Sequence, residues 1–129
     1  FLGVFDKNNK FVAWHFGFQK DSHTFYMCNS AVLAEHRRKG LYTAMLNYTI
    51  DSMKKKGFQI LLSRHNMTNN SVIIPKLKAG FVIAGLEVDD TFGTLVHLKY
   101  YVNKTRRKLM DYRVGEKKPD QELKKLFNF

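Results

Sequence analysis

Glu35-His36-Arg37-Arg38-Lys39-Gly40-Leu41-Tyr42 is the stretch on which the fold turns. It lies between an extended segment, Thr24 to Leu33, and an amphipathic segment, Leu41 to Lys56. A strand that runs into a basic, glycine-containing turn and then opens a helix is an anion-binding device. The first turn of a helix leaves backbone N–H groups free, and the helix dipole is positive there. Arg37, Arg38 and Lys39 add side-chain charge beside those groups. A ligand carrying a pyrophosphate meets all of its electrostatic needs at such a place.

On the N-terminal side the pattern is that of strands. Phe1 to Asp6 and Phe11 to Gln19 flank the polar turn Lys7-Asn8-Asn9-Lys10 and predict a hairpin. Alternation puts Trp14, Phe16 and Phe18 on one face and Ala13, His15 and Gly17 on the other. Thr24 to Leu33 follows as a third strand of an antiparallel meander. On the C-terminal side Leu41, Met45, Leu46, Ile50 and Met53 form a helical stripe, closed by Lys54-Lys55-Lys56 and Gly57. Phe58 to Ser63 predicts a short central strand, reached by a right-handed parallel crossover. Asn69 to Ala79 predicts a second helix that starts late or bends at Pro75. Phe81 to Val88 and Thr94 to Val102 form a last hairpin, and two amphipathic pieces separated by Pro119 follow. The expected order is β-β-β-α-β-α-β-β with a basic helical tail, an α/β (α+β) domain with a mixed sheet.

The chain has 129 residues, of which 44% are apolar, which suits one folded domain. The opening residues Phe1 to Phe5 already have a strand's pattern, so an N-terminal piece is expected to precede them. No apolar run reaches membrane-spanning length, and no partner membrane is expected. Cys28 is the only cysteine, which excludes an internal disulfide and favours a reducing, cytoplasmic setting. The net charge of +11 favours polyanionic partners or a phosphorylated cofactor. From Lys99 to Phe129 ten Lys/Arg stand against four Asp/Glu. His, Cys and carboxylate residues show no metal-ligand spacing, so no metal is expected.

The turn resembles the cofactor signature of the GNAT superfamily of acetyl-CoA-dependent N-acetyltransferases, Arg/Gln-x-x-Gly-x-Gly/Ala. It reads Arg37-Arg38-Lys39-Gly40-Leu41-Tyr42 here, with Tyr42 where a small residue is usual. A second feature agrees: Asn69 is followed by Lys78-Ala79-Gly80-Phe81, as the family's asparagine is by Gly-Phe. The resemblance covers roughly residues 1–102, taken as the acetyltransferase domain, with 103–129 as a basic helical extension. It implies a mostly antiparallel sheet with splayed middle strands and acetyl-CoA as co-substrate. Backbone groups from Arg38 to Tyr42, including Gly40 and Leu41, would cradle the pyrophosphate. The side chains of Arg37, Arg38 and Lys39 would reach its phosphates. The strand ending near Ser30, Ala31 and Val32 would splay away and pair with the pantetheine arm, which Asn69 would bond. A helix-capping duty for Asn69 is the equal alternative.

By the same resemblance, an amine attacks the thioester directly, a base takes the ammonium proton and an acid protonates the thiolate. The family's acid is often a tyrosine, and the matching position here is Lys76. A surface lysine is the default expectation there. Thr24 to Leu33 contains no Asp or Glu to serve as base, which leaves His15 and His65 as candidates, although a structural histidine is the commoner case. Cys28 is expected to be a buried small hydrophobe.

The expected partner is an amine-bearing acceptor, a small molecule or a peptide. Two other readings stay open. Lys104-Thr105-Arg106-Arg107-Lys108, with Tyr100, Tyr101 and Tyr112 nearby, is a candidate nucleic-acid surface, though no recognised motif supports it. The missing tyrosine and carboxylate also allow a module that holds coenzyme A without catalysis. Helical ends such as Leu123 to Phe129 often dock on a partner subunit, which keeps a homodimer in view.

Overall fold

The computed structural model describes residues 1–129. Strands β1 (Leu2–Phe5), β2 (Phe11–Gln19) and β3 (Thr24–Val32) lead through a short 3₁₀ turn (Ala34–His36) into helix α1 (Leu41–Lys55). Then come β4 (Ile60–Asn66), α2 (Asn70–Lys78), the hairpin β5 (Val82–Asp89) and β6 (Gly93–Tyr101), and helices α3 (Lys104–Arg113) and α4 (Gln121–Phe127). The sheet order is β1-β2-β3-β4-β6-β5, and only β3 and β4 are parallel. The predicted order of elements and the mixed, mostly antiparallel sheet are both present.

Two elements differ from expectation. The fourth strand starts at Ile60 and runs on to Asn66. Phe58 and Gln59 form a connector: the Gln59 N–H bonds the His23 carbonyl, and the Gln59 carbonyl accepts from Val102 and Asn103. The polar end Arg64-His65-Asn66 stays a strand because each residue pairs with β6, down to Asn66 opposite Leu95. Helix α2 starts at Asn70 and runs through Pro75. That proline forfeits one helical N–H bond, while its carbonyl still accepts from Ala79 at 3.0 Å.

Cross-strand partners share a face of the sheet. Leu61, Ser63 and His65 therefore lie on one face with Tyr100, Leu98 and Val96. The parallel register adds Phe25 to this face, and the antiparallel one adds Met27, Gly17 and His15. The main core forms here: Met27, Leu61, Val96 and Leu98 from the sheet pack with Leu46 and Ile50 of α1, Ile73 of α2 and Phe81. At the C-terminal end Leu123 is almost fully buried, and the side chains of Asn103 and Asp120 cap α3 and α4. Arg106 bonds the Gln59 side chain at 2.6 Å and Arg107 the Gly80 carbonyl at 3.3 Å, tying α3 to the sheet.

Gly17 is placed by close approach. It pairs with Met27 just past a register shift in the β2–β3 ladder. A Cβ there would lie 2.5 Å from the Phe25 ring and 2.6 Å from the Tyr26 carbonyl oxygen. The ring can turn away, but the carbonyl belongs to the sheet. Gly17→Ala is expected to lower stability by roughly 1–3 kcal/mol, measured by urea denaturation.

Candidate functional site

The parallel ladder between β3 and β4 is short. It joins Thr24 to Ile60, Phe25 to Leu61 and Tyr26 to Leu62, and then stops. Beyond it β3 continues on β2 as far as Val32, opposite Ala13, and β4 continues on β6. The two strands thus diverge while each keeps its outer neighbour. On β3 the divergence coincides with a bulge, because Phe16 pairs with Asn29 and Gly17 with Met27, leaving Cys28 unmatched. Cys28 is exposed, a correction to the expected buried thiol, and the bulge is the cause.

A cavity of about 650 Å³ occupies the gap. Met27, Asn29 and Ser30 line it from β3, Tyr42, Met45 and Thr49 from α1, and Arg64 and His65 from β4. Asn69, Val72 and Lys76 line the side formed by α2, and His15 reaches in from β2. Of the residues singled out from sequence, the structure thus brings Ser30, Tyr42, His15, His65, Asn69 and Lys76 together. Ala31 and Val32 lie further along β3, outside the lining.

Arg37, Arg38, Lys39, Gly40 and Leu41 form the turn leading into Tyr42. Arg38 and Gly40 both adopt left-handed backbone, with φ of 59° and 75°. Gly40 is the N-cap of α1, and no side chain bonds the first N–H groups of that helix. A Cβ on Gly40 would meet nothing within 4 Å, so glycine is required there by backbone conformation, not by crowding. The Arg37 Nε donates to the Val32 carbonyl at 2.9 Å, which folds that side chain against the end of β3. Arg38 and Lys39 are exposed.

Asn69 holds the N-cap position of α2, but its side chain makes no capping bond. Its Oδ1 accepts from the Ser71 hydroxyl at 2.9 Å. The capping alternative for its side chain is therefore not realised.

Lys76 overturns its default expectation. It is 2% exposed and the largest fully buried side chain in the protein. The inward face of α2 explains this, since Asn69, Val72, Ile73 and Lys76 recur at helical spacing. Its Nζ donates to Ser63 Oγ at 2.7 Å and lies 3.1 Å from His65 Nε2 and 5.2 Å from the Phe81 ring centre. Ser63 Oγ and His65 Nε2 are themselves 3.0 Å apart. Sequence reasoning missed Ser63, although the alternation Leu61-Ser63-His65 facing α2 held the signal. No Asp or Glu lines the cavity. Burial without a counter-charge lowers the Lys76 pKa to about 7. Burial, followed by the Lys76 charge, lowers both His15 and His65 to about 4. His15 Nε2 is buried without a hydrogen-bond partner, an orphan that a ligand or its water would satisfy.

The fold and cavity define a class: mixed α/β domains whose central sheet is split between two parallel strands at the head of a glycine-capped helix. The profile of the acetyltransferase (GNAT) family matches residues 1–81, and the chain belongs to that family. Solved structures agree in fold. A ribosomal-protein-alanine N-acetyltransferase from Escherichia coli superposes with a TM-score of 0.66 at 22% identity, over 75% of this chain and 65% of that one. Ard1 from Thermoplasma volcanium gives 0.67 at 16% identity, over 72% and 64%. A GNAT acetyltransferase from Elizabethkingia anophelis with acetyl-CoA bound gives 0.70 at 16%, over 74% and 72%. The chain thus spans slightly less than two thirds of the first two proteins. No curated protein matches it. No helix is long and apolar enough to cross a membrane.

Lys76 also links stability to pH. Its folded pKa of about 7 lies below its usual 10.5, so between these values the unfolded chain binds more protons. Its contribution therefore improves as pH rises from 7 towards 10 and is least favourable below 7. Lys76→Met removes the amine and leaves Ser63 and His65 bonded to each other. The variant is expected to be at least as stable as the parent at pH 7, with the difference shrinking or reversing by pH 10. Thermal melts of both proteins across that range check this.

Proposed function

We propose that the protein transfers the acetyl group of acetyl-CoA to a primary amine within the cavity between β3 and β4. The observation that carries this reading is the ladder that stops after Tyr26 and Leu62, beside a helix whose first N–H groups are free. The interrupted ladder leaves backbone groups of β3 facing the gap, where an extended amide-bearing arm can pair with them as an added strand. The start of α1, with Arg38 and Lys39, suits a pyrophosphate. Asn69, its side chain free of capping, is a hydrogen-bonding partner for the arm. Bound there, acetyl-CoA would supply an activated thioester.

This chain's residues have distinct tasks in the proposal. Backbone N–H groups of β3 past the end of its ladder with β4 stabilise negative charge on a carbonyl oxygen, the Ser30 N–H by exchanging its bond to the Asn29 side chain at 2.8 Å for one to that oxygen. Lys76, whose pKa of about 7 leaves both protonation states populated at neutral pH, supplies a proton to a departing thiolate. His15, neutral at that pH and with a free Nε2, accepts a hydrogen bond from the acceptor or from its water. His65 and Ser63 position Lys76. The acceptor is a small-molecule or peptide amine. A cytoplasmic setting accords with the exposed free thiol of Cys28. Residues 1–102 carry the cavity, and residues 103–129 form the basic extension.

The test is calorimetric titration of acetyl-CoA, followed by colorimetric detection of free thiol with a panel of amines. Saturable one-to-one binding is expected, weakened about tenfold or more in the Arg38→Ala/Lys39→Ala variant by loss of charge-assisted contacts. Thiol release with at least one amine completes the reading. Absence of saturable binding overturns it, and binding without thiol release for any amine favours the module that holds coenzyme A without catalysis.

A further inference from the structure

We propose that Lys76 is itself an acetylation site, its ε-amine taking the acetyl group of bound acetyl-CoA when no other amine occupies the cavity. The inference rests on the acetyl-CoA reading above and goes beyond it, because here the protein is its own acceptor.

Geometry carries the argument. Lys76 is buried, and it lines the same cavity as the diverging end of β3. A neutral amine has two N–H bonds and one lone pair. One hydrogen goes to Ser63 Oγ at 2.7 Å, and with the His65 proton on Nδ1 the other goes to His65 Nε2 at 3.1 Å, the tautomer this proposal requires. The Phe81 ring, 5.2 Å away, presents a π face that repels a lone pair. With those three directions taken, the lone pair is left to the cavity.

The surroundings leave a large fraction of the amine in its nucleophilic form. The titratable and polar groups around it in the cavity include His15 from β2, Tyr26 and Cys28 from β3, Tyr42 from α1, Arg64 and His65 from β4, and Asn69 at the start of α2, with Ser63 bonded to it directly. None is a carboxylate. Glu87 lies behind Arg64, where it accepts from Arg64 Nη1 at 3.0 Å and pairs with His97 at 2.9 Å. Burial holds the Lys76 pKa at about 7, so a large fraction is unprotonated at neutral pH.

The chemistry balances without another reactant. The Nζ–C bond forms, the thioester C–S bond breaks, and the sulfur leaves as the thiolate of coenzyme A. The proton lost from nitrogen goes to that thiolate. The product is an amide, which is no longer basic and does not pass the acetyl group on, so the modified protein has lost the proton donor assigned to Lys76. The reaction limits the protein's own activity when acceptor is scarce.

The test uses the whole chain with acetyl-CoA and no added amine, followed over time by intact mass and peptide mapping. Lys78, exposed on the same helix, is the reference site. The expected result is one acetyl group on Lys76, added at least tenfold faster than on Lys78. Excess coenzyme A should suppress the reaction at Lys76 but not at Lys78. The Lys76 rate should rise from pH 6 to pH 8, as the amine loses its proton. Lys76→Arg should abolish the fast phase while retaining acetyl-CoA binding by calorimetry. If acetyl-CoA binds but Lys76 stays unmodified, or reacts no faster than Lys78, the inference is overturned and the acetyl-CoA reading stands. If acetyl-CoA does not bind, both fall.

Discussion

Parting of β3 from β4 is the constraint on which the site depends. A parallel pair in the middle of a sheet normally hydrogen-bonds along its length, since unpaired buried backbone is costly. Here the ladder ends after three pairs, yet both strands persist. They can, because each has a second neighbour: β2 holds β3 out to Val32, and β6 holds β4 out to Asn66. The bulge at Cys28 takes up the extra residue that this divergence puts into β3. The chain leaves β3 where the gap is widening and must return as β4 on the gap's other side. Helix α1 therefore begins next to the opening. One topological fact thus sets the cavity, the free backbone groups and the basic turn beside one another.

Lys76 depends on the same opening. A lysine on the inward stripe of a helix ordinarily meets close-packed apolar side chains, and its amine has no partner there. In this protein its Nζ lies 5.2 Å from the Phe81 ring centre and reaches Ser63 and His65 where the sheet parts. Two polar contacts satisfy the nitrogen without giving it a counter-charge. A glutamate in place of Ser63 would hold the ammonium form through Coulomb attraction in a low dielectric. The serine leaves the amine near its neutral point. Such tuning by desolvation is a recurrent mark of functional lysines.

Much of this was legible in the sequence because the relevant signals are local. The turn Arg37 to Leu41 announces itself through charge, Gly40 and the stripe that starts at Leu41. The hairpins follow from alternation and from turns such as Asp89 to Gly93. What escaped was set by tertiary pairing. The run Arg64-His65-Asn66 is too polar to look like a strand by itself, and β6 makes it one. The bulge that exposes Cys28 is a property of the β2–β3 register, which composition does not encode. Lys76 was found by its place before Gly80-Phe81, but a lysine's ordinary preference for water argued for the surface. The stripe Asn69-Val72-Ile73-Lys76 carried the opposite message, and only packing decided between them.

The basic C-terminal segment is less cationic in its effect than its composition suggests. Lys108 pairs with Asp120 at 2.7 Å and also with Glu122, while Arg107 pairs with the buried Asp111 at 2.8 Å. Asp111 also pairs with Lys117 at 3.5 Å. The Lys108 pairs use two of the segment's four carboxylates to fix α3 against α4, the Asp111 pairs stay within α3 and the linker after it, and Arg106 and Arg107 also fasten α3 to Gln59 and Gly80. Gly80 closes the loop after α2, whose inward face delivers Lys76. Burial of Leu123 adds an apolar clasp to the ionic ones. A segment that composition alone presents as a polyanion-binding tail is thus also a brace on the helix that positions the buried amine. The exposed Lys108 pairs contribute little each, so their effect lies in fixing where α3 sits more than in the stability they add.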